Sequence, residues 1–258
     1  MTLCALYVPG SRPDRFDKAA ASGADAVILD LEDSVAAPEK AAARAAVAAW
    51  LPTAPSGLGV QVRVNEPGSA ELADDLRALP DGVALRVPKV GAAAELDALD
   101  GRDVHAIIES AAGVERAFEI ASHAAVRSLT LGEADLAAEL GLEGEEAFGW
   151  VRSRIVVAAR AARLPAPMMS AYPSLQDLDG LAASCATGRR LGFVGRTAVH
   201  PAQVAVILSA FSATDADVAW AREVLAALRS AGVARLADGS MVDAAMARRA
   251  EAILGGGG

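Results

Sequence analysis

Short apolar runs alternate with longer segments of helical periodicity along most of this chain. Each run is rich in Val, Ile, Leu and Ala, which is typical of a strand buried on both faces of a parallel sheet. The intervening segments repeat their apolar residues at the spacing of an amphipathic helix. We predict strands at 3–8, 26–31, 59–64, 83–87, 104–108, 128–131, 167–170 and within 193–199.

Eight predicted helices alternate with these eight runs, as expected for repeated strand–helix units. The number of units predicts a (β/α)8 TIM barrel, for which about 250 residues is an ordinary length. An open doubly wound sheet is the alternative, but no Gly-x-Gly-x-x-Gly motif follows the first strand. The predicted helices are 12–22, 38–51, 70–79, 92–99, 114–122, 145–163, 175–191 and 201–211.

The chain continues past the last barrel unit. Two more helical stretches are predicted at 215–230 and 242–254, and a glycine-rich end follows them. A barrel does not require these helices. We therefore expect a TIM-barrel catalytic domain at 1–211 and a C-terminal helical lid or arm at 212–258 with a disordered glycine tail.

Two acidic residues stand where neighbouring predicted strands end. Glu109 closes the run VHAII, and Asp135 lies just past the run SLTL. Parallel strands joined by one helix place such residues side by side at one edge of a sheet. Mg²⁺ takes one or two protein carboxylates and keeps its other positions for water and ligand, so the pair predicts a Mg²⁺ site. The alternative is a solvated acid at Glu109 and a helix N-cap at Asp135.

Polar residues follow the other strands as well, and in a barrel these strand ends form the active site. Acids that crowd together repel one another unless a cation intervenes, so the set predicts a metal or a tight ion-pair network. We expect His105 to be a core residue and His123 a helix-end residue. The strand-end set is Ser11, Arg12, Asp30, Glu32, Asp33, Arg63, Asn65, Lys89, Glu109, Glu133, Asp135 and His200, the last interpreted as a helix cap.

Two cations of this set have alternative interpretations. A guanidinium at a strand end can stabilise charge that develops on a substrate oxygen, which makes Arg63 a candidate for that role. Arg63 can also pair with Asp30 or Asp33, and both roles are compatible. Lys89 is a candidate Schiff-base lysine, but the metal-type pair nearby favours an ion-pair or ligand-orienting role.

Composition narrows the function further. The chain has 258 residues, 53% of them hydrophobic, and a net charge of −9. It has no run of basic residues, which argues against nucleic acid as a partner. We find no signal peptide and no apolar stretch of bilayer-spanning length, so no membrane partner is expected. Cys4 and Cys185 lack partners at metal-ligand spacing, and we interpret them as reduced core thiols of a cytoplasmic protein.

Eight segments resemble those of one protein family. They are LYVPGSRPDRF, VILDLEDSV followed by PEKAAAR, RVN at 63–65, Pro88-Lys89, IIESAAGV, LGEADLA, LGFVGRTAVHPAQV and DGSMVDAAMARRAEAIL. On these segments the chain resembles the citrate lyase beta-subunit-like proteins of the HpcH/HpaI aldolase superfamily. The resemblance is colinear and extends over nearly the whole chain.

The resemblance implies a barrel with C-terminal helices, Mg²⁺, acyl-CoA carbon–carbon bond chemistry and a homotrimer or larger homo-oligomer. It implies that Glu109 and Asp135 hold the metal and that Arg63 binds the keto acid and steadies the enolate. Asp243 matches an aspartate that in some members acts as acid or base from a neighbouring subunit. The other matched site residues are Asp30, Glu32 and Asp33 near the metal, and Lys89, Gly132, Glu133 and Ala134 near the substrate.

Three positions help to decide which branch of the resembled family this chain is most similar to. Ala112 and Ala134 stand where many members have an arginine and an acid, which leaves the substrate preference open. Asp33 stands where the free 2-keto-acid aldolases of the superfamily carry a histidine base. The absence of that histidine points towards the acyl-CoA lyases.

The predicted function is a Mg²⁺-dependent lyase that cleaves a citryl-, malyl- or citramalyl-CoA type of β-hydroxyacyl-CoA into acetyl-CoA and a keto acid, or forms it in reverse. Arg63, Asp243, Asp33 and Asp30 are its predicted catalytic residues. Arg12 is predicted to meet the CoA phosphates at the start of the first helix. One alternative is a thioesterase or synthase on the same site, and another is a citrate-lyase-type subunit that is inactive without partner proteins.

Overall fold

The structure is a computed structural model that describes residues 2–99, 101–229 and 232–255. Eight parallel strands close into a barrel in chain order, with the last strand paired to the first. The prediction of a (β/α)8 TIM barrel is therefore confirmed. The strands are β1 Cys4–Pro9, β2 Ala26–Asp30, β3 Gly59–Arg63, β4 Ala84–Val87, β5 Val104–Ile108, β6 Val126–Leu131, β7 Met168–Met169 and β8 Gly195–Ala198.

Alternate residues of each strand face opposite sides of the barrel wall. On β2, Val27 and Leu29 are fully buried and belong to the main apolar core, which they share with residues of the surrounding helices. Ile28 belongs instead to a small separate cluster with Ala5 and Ala26. The large core thus lies between strands and helices, and the other face of each strand points into the barrel.

Helices and short 3-10 turns surround this barrel. Some begin at the side chains that the sequence favours for caps, as at Ser69, whose hydroxyl accepts a hydrogen bond from the Leu72 amide. The α-helices of this part are α1 Phe16–Ala20, α2 Lys40–Trp50, α3 Ala70–Ala78, α4 Ala111–Glu115, α5 Ala117–Ala121, α6 Glu133–Leu140, α7 Gly149–Ala161, α8 Leu178–Leu191 and α9 Val204–Phe211.

Two predicted helices take a different form. Residues 93–99 form a 3-10 helix, whose three-residue repeat places Leu96 and Leu99 on the same buried side. The helix predicted at 114–122 is instead the pair α4 and α5, which meet at Arg116, where the ψ of 11° is not helical.

Residues 212–255 form a second compact unit with its own small core. The unit contains α10 Asp215–Leu228, the antiparallel strands β9 Val233–Arg235 and β10 Met241–Asp243, and α11 Ala244–Leu254. The prediction of helix from residue 242 was wrong at its start, because Val242 pairs with Ala234 across the hairpin and is 1% exposed. The predicted disordered tail is 255–258; Gly255 is the C-cap of α11, and residues 256–258 lie outside the described residues.

One segment differs from the expectation that nothing in the chain is long and apolar enough to span a bilayer. Pro201–Leu228 has such a length, and an 18-residue window within it has a mean hydropathy of 1.4. The segment is not one continuous helix, since residues 212–214 are non-helical and Thr214 caps the start of α10. Val204 and Ile207 also belong to the core of the barrel unit. These features argue against a membrane span.

Both cysteines are buried and free. Cys4 on β1 and Cys185 on α8 are each 0% exposed. Burial, reinforced by the nearby charge of Asp25, raises the pKa of the Cys4 thiol to about 12, and burial also raises the pKa of Cys185. These are the core thiols that the sequence predicts.

Candidate active site

The carboxyl ends of the strands surround a cavity of about 340 Å³. This is the edge of a TIM barrel at which active sites lie. Glu32 and Lys89 do not line the cavity but contact two residues that do, Arg63 and Glu109 respectively. The predicted site residues that line the cavity are Asp30, Asp33, Arg63, Glu109, Gly132, Glu133, Ala134 and Asp135.

Asp30 and Arg63 form a two-pronged ion pair at the ends of β2 and β3. Arg63 Nε and Nη2 donate to the two Asp30 carboxylate oxygens, each at 2.7 Å. The backbone amides of Glu32 and Ser34 donate to the same carboxylate. Burial disfavours the charge on Asp30, but the hydrogen bonds and charge of Arg63 outweigh it and lower the Asp30 pKa. Arg63 also lies 3.2 Å from Asp33, so the pairing expected for this arginine is present.

Glu32 is a third carboxylate in contact with this arginine. It is 6% exposed, and its oxygens lie 2.7 Å from Arg63 Nη1 and 3.1 Å from Lys89 Nζ. These contacts lack hydrogen-bond geometry, so both buried oxygens are ion-paired but not hydrogen-bonded. Burial is the largest cause that raises the pKa of Glu32, and Asp33 adds to it, against the opposing charge of Arg63.

Lys89 uses its backbone as well as its side chain. Its φ of 55° is left-handed, which is uncommon for a residue with a Cβ. In this conformation its amide donates to Glu109 Oε1 at 2.6 Å, while Nζ lies 3.4 Å from Glu66 in addition to Glu32. The close contact with Glu32 and the negative charge of Glu32 raise the Lys89 pKa. A lysine held protonated is a poor nucleophile, which favours the ion-pair interpretation over the Schiff base.

Glu109 is a buried acid of the cavity whose pKa is strongly raised. Its side chain follows β5 and is 7% exposed. Burial, with smaller contributions from the charges of Asp135 and Glu32, raises its pKa to about 8. A Cβ at residue 132 would overlap the Glu109 carboxylate, so Gly132 leaves the space that this side chain occupies.

Asp135 lies in the first turn of α6 and lines the same cavity. The interpretation of Asp135 as an N-cap is wrong, because α6 begins two residues earlier and Gly132 is its N-cap. A cation between the two carboxylates would offset the Asp135 charge that contributes, after burial, to the raised Glu109 pKa. In the described part of the chain no three His, Cys, Asp or Glu residues form a metal cluster. Two carboxylates with open positions fit Mg²⁺.

Glu133 also lines the cavity, but its carboxylate is held by Arg152 of α7. Arg152 Nε and Nη2 donate to Glu133 at 2.7 and 2.8 Å, and Nη1 donates to Glu145 at 2.5 Å. Arg152 is 1% exposed. The sequence analysis did not identify Arg152, although an arginine within an apolar helix was a signal for it. The pairing positions Glu133 beside the site and leaves Asp135 as the partner of Glu109.

The rest of the lining is neutral, and the sequence analysis did not identify it. These side chains come from β1, β5, β6, β7 and β8 and their exits. Ser170 is 8% exposed and its buried hydroxyl has no hydrogen-bond partner among the described residues. The neutral lining includes Tyr7, Ile107, Thr130, Ser170, Thr197 and Val199.

Other predicted residues lie apart from the cavity lining. Arg12 pairs with Asp14 through two hydrogen bonds of 2.9 and 2.8 Å and is partly exposed. Asp243 belongs to the second unit, where its carboxylate caps α11. His200 caps a 3-10 turn, as expected. Asn65 is buried and hydrogen-bonded to Asp75.

Fold and site together define a TIM-barrel enzyme with an acidic cation site beside an arginine. The chain belongs to the HpcH/HpaI aldolase/citrate lyase family, whose sequence pattern matches residues 3–201. A second pattern, that of the C–C bond lyases of the TIM-barrel fold, matches residues 153–255. The family predicted from the eight segments is thus confirmed.

The relatives carry the names of lyases and of one thioesterase. A citrate lyase subunit beta-like protein of Mycobacterium tuberculosis is 39% identical over 96% of this chain and 93% of its own length. An L-malyl-CoA/beta-methylmalyl-CoA lyase of Cereibacter sphaeroides is 34% identical over 97% of this chain and 93% of its own. A (3S)-malyl-CoA thioesterase of the same species is 36% identical over 92% and 88%. The names indicate lyase activity in the family, as predicted.

A solved structure resembles the whole chain. The crystal structure of CitE from M. tuberculosis, in complex with magnesium, acetoacetate and coenzyme A, has a TM-score of 0.85 and 36% identity. The match covers 98% of this chain and 97% of that one. The ion in that neighbour is the one that the two carboxylates here fit.

Proposed function

We propose that this protein is a Mg²⁺-dependent carbon–carbon lyase that acts on a β-hydroxyacyl-CoA. One observation carries the proposal. Glu109 and Asp135 bring two carboxylates to one cavity that Arg63 also lines, and burial, with a smaller contribution from the Asp135 charge, raises the Glu109 pKa to about 8. The CoA ligand of the neighbouring structure and the malyl-CoA relatives support the acyl-CoA class.

Glu109 and Asp135 would hold the metal. When bound, Mg²⁺ supplies a Lewis acid that favours loss of the substrate hydroxyl proton and neutralises the keto-acid oxygens. Lys89 and Gly132 orient the Glu109 carboxylate, one through its amide and the other through the absence of a Cβ. Carboxylates fixed in this way lose little freedom when a cation binds.

Arg63 would stabilise the charge that develops during cleavage. Asp33, which exchanges protons with water, takes the hydroxyl proton; the Cα–Cβ bond then breaks, and its electron pair moves to the thioester half as an enolate. Asp30 holds Arg63 by Nε and Nη2, which fixes the guanidinium before the reaction begins. A charge fixed in this way stabilises an oxyanion more effectively than one that must reorganise.

Protonation of the enolate carbon completes the reaction and gives acetyl-CoA. We assign this step to Asp243 from the C-terminal segment of a neighbouring subunit in a homotrimer or larger assembly, a role that rests on the family resemblance. Asp33 is exposed and lies 3.2 Å from Arg63, so it is the acid of the same chain that is best placed to exchange protons with water. The proposal includes residues 212–258 as a lid, Arg12 near the CoA phosphates, and a cytoplasmic location.

The test is incubation of the purified protein with Mg²⁺ and malyl-, citramalyl- and citryl-CoA, with products identified by mass. We expect acetyl-CoA plus a keto acid from at least one substrate, and loss of that activity with EDTA and in Glu109→Gln. Glu119→Gln, an exposed acid on α5, is the matched control and should retain activity. Acetyl-CoA formation that survives both EDTA and Glu109→Gln would contradict the proposal.

A thioesterase is the second candidate, favoured by the relative of that name. Its products would be free CoA and an intact hydroxy acid, with no acetyl-CoA. A protein that binds Mg²⁺ and keto acid but converts none of the three thioesters alone would instead be a subunit that needs partner proteins.

A further inference from the structure

The interior of the barrel contains a buried arginine that the proposed reaction does not use. Arg86, on β4, is 1% exposed. Its Nε donates to Gln61 Oε1 on the neighbouring strand β3 at 2.9 Å, and its Nη1 donates to Thr130 Oγ1 on β6 at 3.3 Å. The guanidinium carbon also lies 5.8 Å from the centre of the Tyr7 ring. Because these partners lie on three different strands, the side chain extends into the barrel.

Arg86 forms no ion pair with a carboxylate in the part of the chain that the structure describes. Its polar contacts are the neutral groups of Gln61 and Thr130. By contrast, Arg152 is equally buried but pairs with Glu133 and Glu145. A buried charge without a counter-ion is costly, and such a charge is retained where a ligand or function compensates it.

The neutral partners of Arg86 place its charge beneath the cavity. Thr130 and Tyr7 both line the cavity, and Arg63 lies over the same Tyr7 ring at 5.1 Å. The Arg86 charge is also felt elsewhere in the interior, because burial and then this charge lower the pKa of His105 to about 4. His105 is therefore neutral at pH 7, and the charge of Arg86 acts at this level of the barrel with a smaller contribution from Arg127.

The lining of the cavity carries more negative than positive side chains. Its lining includes four acids outside the Glu133–Arg152 pair but a single cation among the described residues, Arg63, which is already engaged by Asp30. An anionic ligand entering this cavity meets repulsion that a metal ion between Glu109 and Asp135 offsets only in part. A fixed positive charge below the neutral lining reduces the remainder.

We propose that Arg86 is a positioning residue for a carboxylate-bearing ligand, which holds Thr130 and Tyr7 against the cavity and supplies a fixed positive charge beneath it. The inference rests on the proposed function, since the anion is the keto acid. It predicts selectivity for the ionised ligand over a neutral analogue of the same shape.

The test is calorimetric titration of the Mg²⁺-containing protein with pyruvate and with pyruvamide, its uncharged analogue. We expect Arg86→Met to weaken pyruvate binding at least tenfold and pyruvamide binding less than twofold, and Arg86→Lys to restore most of the pyruvate affinity. Arg196→Met is the matched control, because Arg196 is also 1% exposed and has no carboxylate ion pair in the described structure, but contacts Cys185 of α8. It should change the ratio of the two affinities less than twofold.

The outcomes separate this inference from the proposed function. If the wild type binds no keto acid, both fail; if it binds pyruvate and Arg86→Met leaves the pyruvate-to-pyruvamide ratio unchanged, only the role of Arg86 fails. Arg86→Met should also unfold at a temperature no lower than the wild type, since it removes an uncompensated charge. A variant too unstable to titrate would overturn that claim, and Arg86→Gln, which also removes the charge but keeps hydrogen-bonding groups, would then carry the binding test with the same expected loss of pyruvate selectivity.

Discussion

The two faces of the barrel wall differ in the chemistry of their side chains. The face towards the helices, called here the outer layer, is aliphatic, and residues such as Leu29, Val62 and Ile108 are fully buried in it. The inner face carries the hydrogen-bonded pairs Arg86–Gln61 and His105–Ser128. Barrel interiors are ordinarily filled by branched aliphatic side chains.

This difference separates stability from chemistry within the same strands. A strand alternates its residues between the faces, so one residue can contribute to the apolar core and the next to the cavity. On β5, Ile108 packs in the outer layer and Glu109 follows it at the rim. Substitutions in the outer layer should therefore act on folding, whereas those on the inner face should act on ligand and pH.

The largest effect is expected at Arg63, at the top of the inner face. Arg63→Ala removes the oxyanion-stabilising charge and should lower kcat by about 10³-fold, or roughly 4 kcal/mol. Arg63→Lys keeps the charge but loses the two-pronged contact with Asp30, so it should recover part of the activity. Steady-state kinetics at saturating Mg²⁺ measures this. Full turnover by Arg63→Ala with normal metal binding would exclude the proposed role.

A substitution in the core that the outer layer shares with the helices tests the same comparison through stability. Ile155 of α7 is fully buried in the main core. Ile155→Ala should lower the free energy of unfolding by about 3 kcal/mol, within the usual range of about 2–5 kcal/mol, through lost burial and a cavity. The kcat of the folded fraction should stay within about twofold. Denaturant unfolding and kinetics on the same sample measure both, and a large loss of kcat without loss of stability would contradict the separation.

The buried His105 of the inner face should make the stability of the protein depend on pH. Burial, and then the Arg86 charge, lower the pKa of His105 from 6.5 to about 4 in the folded chain. A lowered histidine pKa stabilises the folded state above the unfolded pKa, and this stabilisation is lost as the pH falls through the folded pKa. Between pH 6.5 and 4 the wild type should therefore lose up to about 3 kcal/mol relative to His105→Gln. If the free energies of unfolding of the two proteins changed equally with pH, the burial of a neutral His105 would be contradicted.

The smallest expected effect concerns Lys89, at the rim between the two faces. Its φ of 55° disfavours residues with a Cβ by about 1 kcal/mol, and glycine is free of that cost. Lys89→Gly should therefore be more stable than Lys89→Ala by about 1 kcal/mol, the reverse of the usual order, since both lose the same ion pairs. Chemical denaturation of the two variants measures the difference. Equal stabilities would show that the left-handed conformation carries no cost.

The sequence predicts the rim of the site better than the interior. Glu109, Arg63 and Asp30 are visible because an apolar run stops abruptly at each, and parallel strands bring such positions to one edge. Arg86 gave no such signal, because it stands inside a run and its partners, Thr130 and Tyr7, come close only when the barrel closes.

The sequence also did not predict two backbone features of the site. The left-handed Lys89 and the close approach of Glu109 to Gly132 follow from the geometry of neighbouring strand exits, which no periodicity reports. The hairpin of β9 and β10 was missed because its strands have only three residues each. A pattern of that length does not distinguish a strand from the first turn of a helix.

Because Cys4 and Cys185 are buried, the native protein should not react with chromogenic thiol reagents. A chromogenic disulfide reagent reacts with accessible thiolates, and both protein thiols are fully buried with raised pKa values. In a reaction containing native protein, colour would therefore report the free thiol of released CoA. Hydrolysis of the thioester would develop colour in step with turnover, whereas carbon–carbon cleavage would leave the sulfur acylated and the solution colourless.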